Sequence, residues 1–358
     1  MKNKILQSMI RFLAVGAAGA NVTQMLERRG FKTYYINLAQ QDLDLISSPN
    51  KYHIPGGEGA SKNRQKAKTV LSQCVEEVVE LLEKQIPEQY IFIVYSLAGG
   101  TGSGLGAFLA EMFARNPGKK VGLVVILPAM SESLQARVNT YEAMAEIMRI
   151  KNQLGSIFIL DNNQREDKLS INRSFAELFE SYINIGSFSS IRGVIDLAEQ
   201  KTLLETPGVA MIHKITQGGA DKLLPTLNQG VYTPIEPNKK VRYIALSQSD
   251  KDLVSIESIS DVVGEPIDTF CGYGNEVETV LYLAGLSFPK TFIEKLAASI
   301  QAEQERAQDV LEDDDIQMDM NFGFLQKNKS SQQKKENQEN PKNNMRDMLM
   351  QLLQTVHK

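Results

Sequence analysis

Five short runs rich in β-branched and aromatic residues punctuate the first half of the chain: IRFLAV (10–15), TYYINL (33–38), YIFIVYSL (90–97), KVGLVVIL (120–127) and SIFIL (156–160). Each gives way to a polar or glycine-bearing turn and then to an amphipathic stretch. Strands separated by helical connections have the chain length to run parallel, so the alternation predicts βαβ units around one parallel sheet. The runs are apolar on both faces, which requires helices on both sides of that sheet. Ligands of such sheets bind beyond the carboxyl ends of the strands, so the five turns are expected to face one site.

Beyond SIFIL, a helical segment is expected from Asn172 to about Gly193. A second group of strand and helix patterns follows, including VRYIALSQS (241–249) and TVLYLAGLSF (279–288), and then an increasingly charged helix over 289–311. The stretches EDDDIQMDMNFGF and KNKSSQQKKENQENPKNN lack core-forming residues and are expected to be unstructured, with an amphipathic end in MRDMLMQLLQTVHK. The 42% apolar content suffices for a core, and a net charge of −4 argues against wholesale nucleic-acid binding. Cys74, Cys271 and three histidines support neither a disulfide scaffold nor a His/Cys zinc site, so a reducing cytoplasm is expected. The basic, apolar start mimics a leader, but Ser8 and Arg11 interrupt it, and no apolar run reaches the length of a membrane span.

The third run ends in AGGTGSG (98–104) and the first in VGAAGAN (15–21). Successive glycines before a helix let backbone N–H groups converge on an anion, and the helix terminus adds partial positive charge. A tight turn for helix-on-sheet packing is the alternative for either loop. Neither is a Walker loop, which requires a lysine, nor the dinucleotide fingerprint, which belongs after the first strand. Two such cradles on one sheet favour a polyphosphate, and hence a nucleotide.

Gly99, Gly100, Thr101, Gly102, Ser103 and Gly104 resemble the signature loop of the tubulin and FtsZ superfamily, which wraps GTP phosphates without a lysine. The resemblance extends through the other turns. Gly16, Ala17, Ala18, Gly19 and Asn21 match its first nucleotide loop. Asn37 in INLAQQDL matches the second, although Ala39 stands where an acid usually lies near metal and phosphates. PGGEGASKNR (55–64) occupies the place of the loop that senses the γ-phosphate. Pro128 and Glu132 match the ribose loop, and Asn162 and Asn172 match positions that read guanine edges; an asparagine of this kind also serves as a helix cap or turn former. The implied ligands are GTP or GDP with Mg2+.

Asp196 and Glu199 in GVIDLAEQKTLLETPG are similar to the synergy loop of the superfamily, whose acids meet the nucleotide of the next subunit. An arbitrary pair of acids at this spacing is usually solvated surface. The resemblance implies GTP hydrolysis at head-to-tail contacts, with Glu199 activating water and Asp196 as its partner. It also implies a tubulin/FtsZ-like α/β fold. In that fold residues 1–171 form a parallel-sheet GTP-binding domain, 172–193 a long central helix and 194–288 a second mixed α/β activation domain. A C-terminal helix at 289–311 and a flexible tail at 312–358 complete it.

Val194 and the glutamate at 199 depart from division-type FtsZ, and the tail carries Lys327, Lys329, Lys334, Lys335, Lys342 and Arg346, a run that is either a partner-binding segment or a solvated spacer. The chain is most similar to the tubulin-like GTPases of plasmids and phages, the TubZ branch, of clostridial type. That branch implies filaments that move DNA in the host cytoplasm. Their tails grip a DNA-binding adaptor of the TubR type, so DNA is contacted indirectly and no membrane is involved. A division-type FtsZ, or a non-polymerising nucleotide-binding protein, is the alternative.

Overall fold

A computed structural model describes residues 4–313 apart from 189, 217, 252 and 253; the tail expected at 312–358 lies almost wholly outside the described residues. The described residues up to 300 form one compact unit, and those from 301 to 313 belong to a second and are helical. In chain order, α1 (Lys4–Ser8) leads into β1 (Ile10–Val15), α2 (Gly16–Glu27), β2 (Lys32–Asn37), α3 (Gln40–Asp44) and β3 (Lys51–His53). Then come α4 (Arg64–Gln73), α5 (Val75–Gln85), β4 (Tyr90–Ser96), α6 (Thr101–Ala114), β5 (Lys120–Leu127), α7 (Leu134–Ile150), β6 (Ser156–Asp161) and α8 (Lys168–Asn184). The remainder comprises α9 (Leu197–Glu205), β7 (Gly208–Ile215), α10 (Ala220–Thr226), β8 (Tyr243–Ser247), α11 (Ile256–Val263), β9 (Asp268–Gly272), β10 (Thr279–Leu286) and α12 (Lys290–Asp313).

All ten strands join one sheet in the order β3-β2-β1-β4-β5-β6-β7-β10-β8-β9. The pairs from β3 to β7 are parallel, as the alternating pattern requires, whereas β10 runs antiparallel to both β7 and β8. The segment expected to form a second α/β unit thus contributes strands of mixed direction to the same sheet. The order turns back between β1 and β4: the chain builds outward from β1 to β3, then returns to β1's other side. That reversal opens a crevice at the carboxyl ends of β1 and β4, where parallel sheets accept ligands.

The long helix is α8, and it runs Lys168–Asn184 rather than 172–193. Asp167 caps it, accepting from the Leu169 N–H at 2.9 Å, and the chain tightens into a 3-10 turn at Ile185–Ser187. Its buried face carries Ile171, Phe175, Phe179 and Tyr182, a spacing of three to four that keeps one side on the sheet. Phe179 meets Phe12, Phe92 and Phe158 edge-on at 5.2, 5.5 and 5.8 Å, so one ring locks the helix across β1, β4 and β6. Truncating such a ring to alanine costs about 3–5 kcal/mol. At 17 residues, α8 spans roughly 25 Å from one end of the sheet to the other.

Candidate functional site

The cleft at the turning point between β1 and β4 has a volume of about 370 Å³. β1 passes into α2 with no linker: Gly16 takes φ +75°, a left-handed conformation that side chains other than glycine rarely adopt. A Cβ on Gly19 would sit 2.1 Å from the Val94 carbonyl oxygen, so α2 rests directly on β4. α6 lies equally close. A Cβ on Gly102 would meet the Val15 carbonyl at 3.0 Å, and one on Gly106 the Tyr95 ring at 2.6 Å. Gly100 and Gly104 are likewise filled by Ala60 and Ala67, at 2.6 and 3.0 Å. A Cβ on Gly99 would meet nothing within 4 Å. The packing reading therefore holds at Gly19, Gly100, Gly102, Gly104 and Gly106, whereas Gly99 borders open space.

Of the residues singled out from sequence, Gly16, Ala17, Ala18, Asn37, Gly99, Gly100, Thr101, Gly102 and Glu132 line this one cleft. The N-termini of α2 and α6 converge there, bringing unpaired N–H groups and the positive ends of two helix dipoles to one place. Ser103 is fully buried and its hydroxyl donates to the Gly99 carbonyl, so it braces the loop from behind. Gly104 is buried in α6 and Gly19 in α2. Asn21 is exposed on α2, Asn162 follows β6, and Asn172 is buried in α8. The Pro128 carbonyl accepts from Asn163 Nδ2 at 3.1 Å. None of these last residues lines the cleft. Glu132 accepts from the Ala129 N–H at 3.2 Å and pairs with Lys168 at 2.9 Å, which fixes its carboxylate at the rim.

Four residues are not singled out in the sequence, although Asp42, Lys62 and Arg64 lie within the stretches INLAQQDL and PGGEGASKNR that it assigns to the site. Asp42 lines the cleft and accepts from Asn37 Nδ2 at 2.8 Å, so a carboxylate reaches the place that Ala39 leaves apolar. It lies in the same INLAQQDL run, three residues beyond Ala39. Asn139 is 1% exposed, and its Nδ2 donates to the carbonyls of Lys62, Ala98 and Gly99 at 2.8, 3.0 and 3.3 Å, tying two cleft loops together. Arg64, 6% exposed, donates twice to the Ser103 carbonyl and pairs with Glu142 and Glu146 at 2.6 and 2.7 Å. Lys62 lines the cleft itself. Its backbone has φ +61° and that of Ser61 +45°, two consecutive left-handed residues that cost about 1–3 kcal/mol each.

Asp196 and Glu199 are not at this cleft. Asp196 caps α9, accepting from the Glu199 N–H at 2.8 Å, while Glu199 Oε2 accepts from the Asp196 N–H at 2.9 Å, a reciprocal capping box. The next residue, Gln200, donates to the Tyr182 carbonyl at 3.0 Å, at the far end of α8 from Lys168. Further along α9, Leu203 accepts from Ser156 and Glu205 from Tyr90, at the amino ends of β6 and β4. The cleft and the two acids thus occupy opposite ends of the sheet. Among the described residues no group of three or more His, Cys, Asp or Glu is placed to hold a metal ion, and no helix is long and apolar enough to cross a membrane.

Residues 3–169 match the model of the Tubulin/FtsZ family, GTPase domain. The chain is 28% identical over 319 residues to the tubulin-like protein TubZ of Clostridium botulinum C phage, covering 87% of this chain and 86% of that one. The solved structure of tail-truncated TubZ from Clostridium botulinum phage c-st matches with a TM-score of 0.76 at 28% identity, over 84% of this chain and 99% of that one. A GTPγS-form protofilament of Bacillus thuringiensis serovar israelensis TubZ shares the fold, with a TM-score of 0.71 at 16% identity over 85% of this chain and 93% of that one.

Proposed function

Residues 3–169 are a tubulin/FtsZ-family GTPase domain, and from that premise we propose a filament-forming GTPase whose active centre is completed by a second copy of the chain. GTP lies in the β1/β4 cleft. Backbone N–H groups at the starts of α2 and α6, around Gly16–Ala18 and Gly99–Gly102, hold its phosphates. Glu132 accepts from the ribose hydroxyls in the loop that Pro128 begins, and Asn21, Asn162 and Asn172 form the base end of the site. Asp42 and Asn37 fit a Mg2+ ion carried by the nucleotide, since such ions take one or two carboxylates together with phosphate oxygens and water. When bound, that ion neutralises charge on the phosphates.

The observation that carries the reading is the separation of Asp196 and Glu199 from the cleft, with the length of α8 between them. No carboxylate of this pair reaches the phosphates of its own subunit. Stacked head to tail, the acids of one copy face the cleft of the next, and a contact of this kind that does not close by rotation generates an open filament. Glu199 then orients the attacking water and accepts its proton as the water oxygen bonds the γ-phosphorus and the bond to the β-phosphate oxygen breaks. Asp196 is its partner, holding water or cation. The protofilament of the B. thuringiensis protein, alike in fold, supports a longitudinal arrangement. We extend the proposal to DNA movement in the host cytoplasm, with the tail at 312–358 engaging a DNA-binding adaptor of the TubR type.

The test is the GTPase rate per subunit as a function of protein concentration. A steep rise above a critical concentration is expected. A rate that stays flat from high dilution to a crowded solution refutes shared catalysis.

A further inference from the structure

The glycine loop has no lysine, yet the cleft does. Lys62 is the one basic side chain among the described residues that line it. It comes from the segment between β3 and α4, and its backbone is held on both sides. The Asn63 N–H donates to the Ala60 carbonyl at 2.7 Å, Ala60 packs against Gly100, and Asn139 grips the Lys62 carbonyl at 2.8 Å. The left-handed conformation of Ser61 and Lys62 is thereby fixed, while the side chain stays exposed.

That side chain has a weak partner. Its ammonium donates to the Ser133 hydroxyl at 3.1 Å, and no carboxylate among the described residues pairs with it. Its neighbours are committed: Lys168 pairs with Glu132, Lys68 with Glu146, and Lys51 donates to the carbonyls of Leu43 and Ile46. A cation lining the cleft, bound only to a neutral hydroxyl, exchanges that hydroxyl for an anion at little cost, because a charge-assisted hydrogen bond is the stronger of the two.

We infer that Lys62 delivers to the terminal phosphate of the bound nucleoside triphosphate the positive charge that its glycine loop lacks, leaving Ser133 when that phosphate is present and returning to it when only a diphosphate remains. This rests on the GTP reading above. It makes Lys62 a residue that discriminates triphosphate from diphosphate, within the loop that the family resemblance already ties to the γ-phosphate.

The experiment measures equilibrium binding of fluorescent GTP and GDP analogues to the full chain, to Lys62→Gln and to Lys62→Arg. In Lys62→Gln, GTP affinity is expected to fall about 10-fold or more while GDP affinity changes less than about 2-fold. Lys62→Arg keeps most of the preference and guards against a folding artefact, since it alters size at the same exposed position while retaining charge. Equal losses for both nucleotides, or an unchanged GTP to GDP ratio in Lys62→Gln, overturn the assignment while leaving the GTPase reading intact. Failure of the wild-type chain to bind either nucleotide overturns both.

Discussion

Replacing Asn139 by aspartate changes the cleft by a single atom's chemistry. The side chain keeps its shape, but the amide that donates to three carbonyls becomes a carboxylate oxygen facing the same three oxygens at 2.8–3.3 Å. Two N–H groups serve those three acceptors, so one bond is shared. Each lost bond forfeits about 1 kcal/mol, and leaving buried partners unsatisfied adds about 1–3 kcal/mol. Asn139 is 1% exposed, so the new carboxylate either stays charged against the carbonyls or takes up a proton, and both are costly. A destabilisation of about 3–5 kcal/mol follows, against a total stability of about 5–15 kcal/mol for a typical domain. In urea unfolding, a slope of about 2–3 kcal/mol per molar turns this into a midpoint lower by about 1–2.5 M. Nucleotide affinity should fall with it, because the same amide holds the 57–63 loop to the glycine loop. A midpoint within about 0.2 M of wild type, with unchanged nucleotide binding, would refute the clamp.

Other substitutions separate packing from chemistry. Gly19→Ala places a methyl against the Val94 carbonyl at 2.1 Å and should cost at least about 1–3 kcal/mol by thermal unfolding, whereas Gly99→Ala, which meets nothing within 4 Å, should unfold like wild type yet bind nucleotide more weakly. Equal stability losses in the two would overturn the distinction. Glu199→Gln preserves the capping box, since glutamine serves in it as well as glutamate, so nucleotide affinity and melting should hold while hydrolysis is lost and filaments outlast those of wild type; weakened GTP binding in that variant would contradict the assigned role. His213, 3% exposed in β7, is pushed down to about 3 by burial. Its folded value lies below the unfolded one near 6.5, so the unfolded chain takes the proton first: stability is full above pH 6.5 and declines as pH falls toward 3, by about 2–3 kcal/mol between pH 6.5 and 4.5. His213→Asn, which does not titrate, should lose that part of the acid sensitivity in urea midpoints measured at the two pH values, and an identical pH slope in the variant would rule the histidine out as its source.

What could be read in advance follows from where each signal resides along the chain. IRFLAV and KVGLVVIL coincide with β1 and β5 because a strand buried on both faces writes its burial into its own residues. The two glycine loops were legible for the same reason: Gly16 needs a conformation that other residues rarely adopt, and Gly19 and Gly102 admit no side chain, so the requirement is local in sequence even when the neighbour is not. Asn139 and Arg64 carry no such mark. An asparagine in the middle of a helix reads as a neutral surface residue, and only the fold brings it to carbonyls 40 and 77 positions away. Arg64 likewise depends on glutamates 78 and 82 positions on. Lys62 shows the limit most clearly. The family resemblance places its segment, PGGEGASKNR, at the γ-phosphate, but that Lys62 is the one basic side chain among the described residues lining the cleft follows only from the fold, since the charge the site requires needs to share only the space, not the motif.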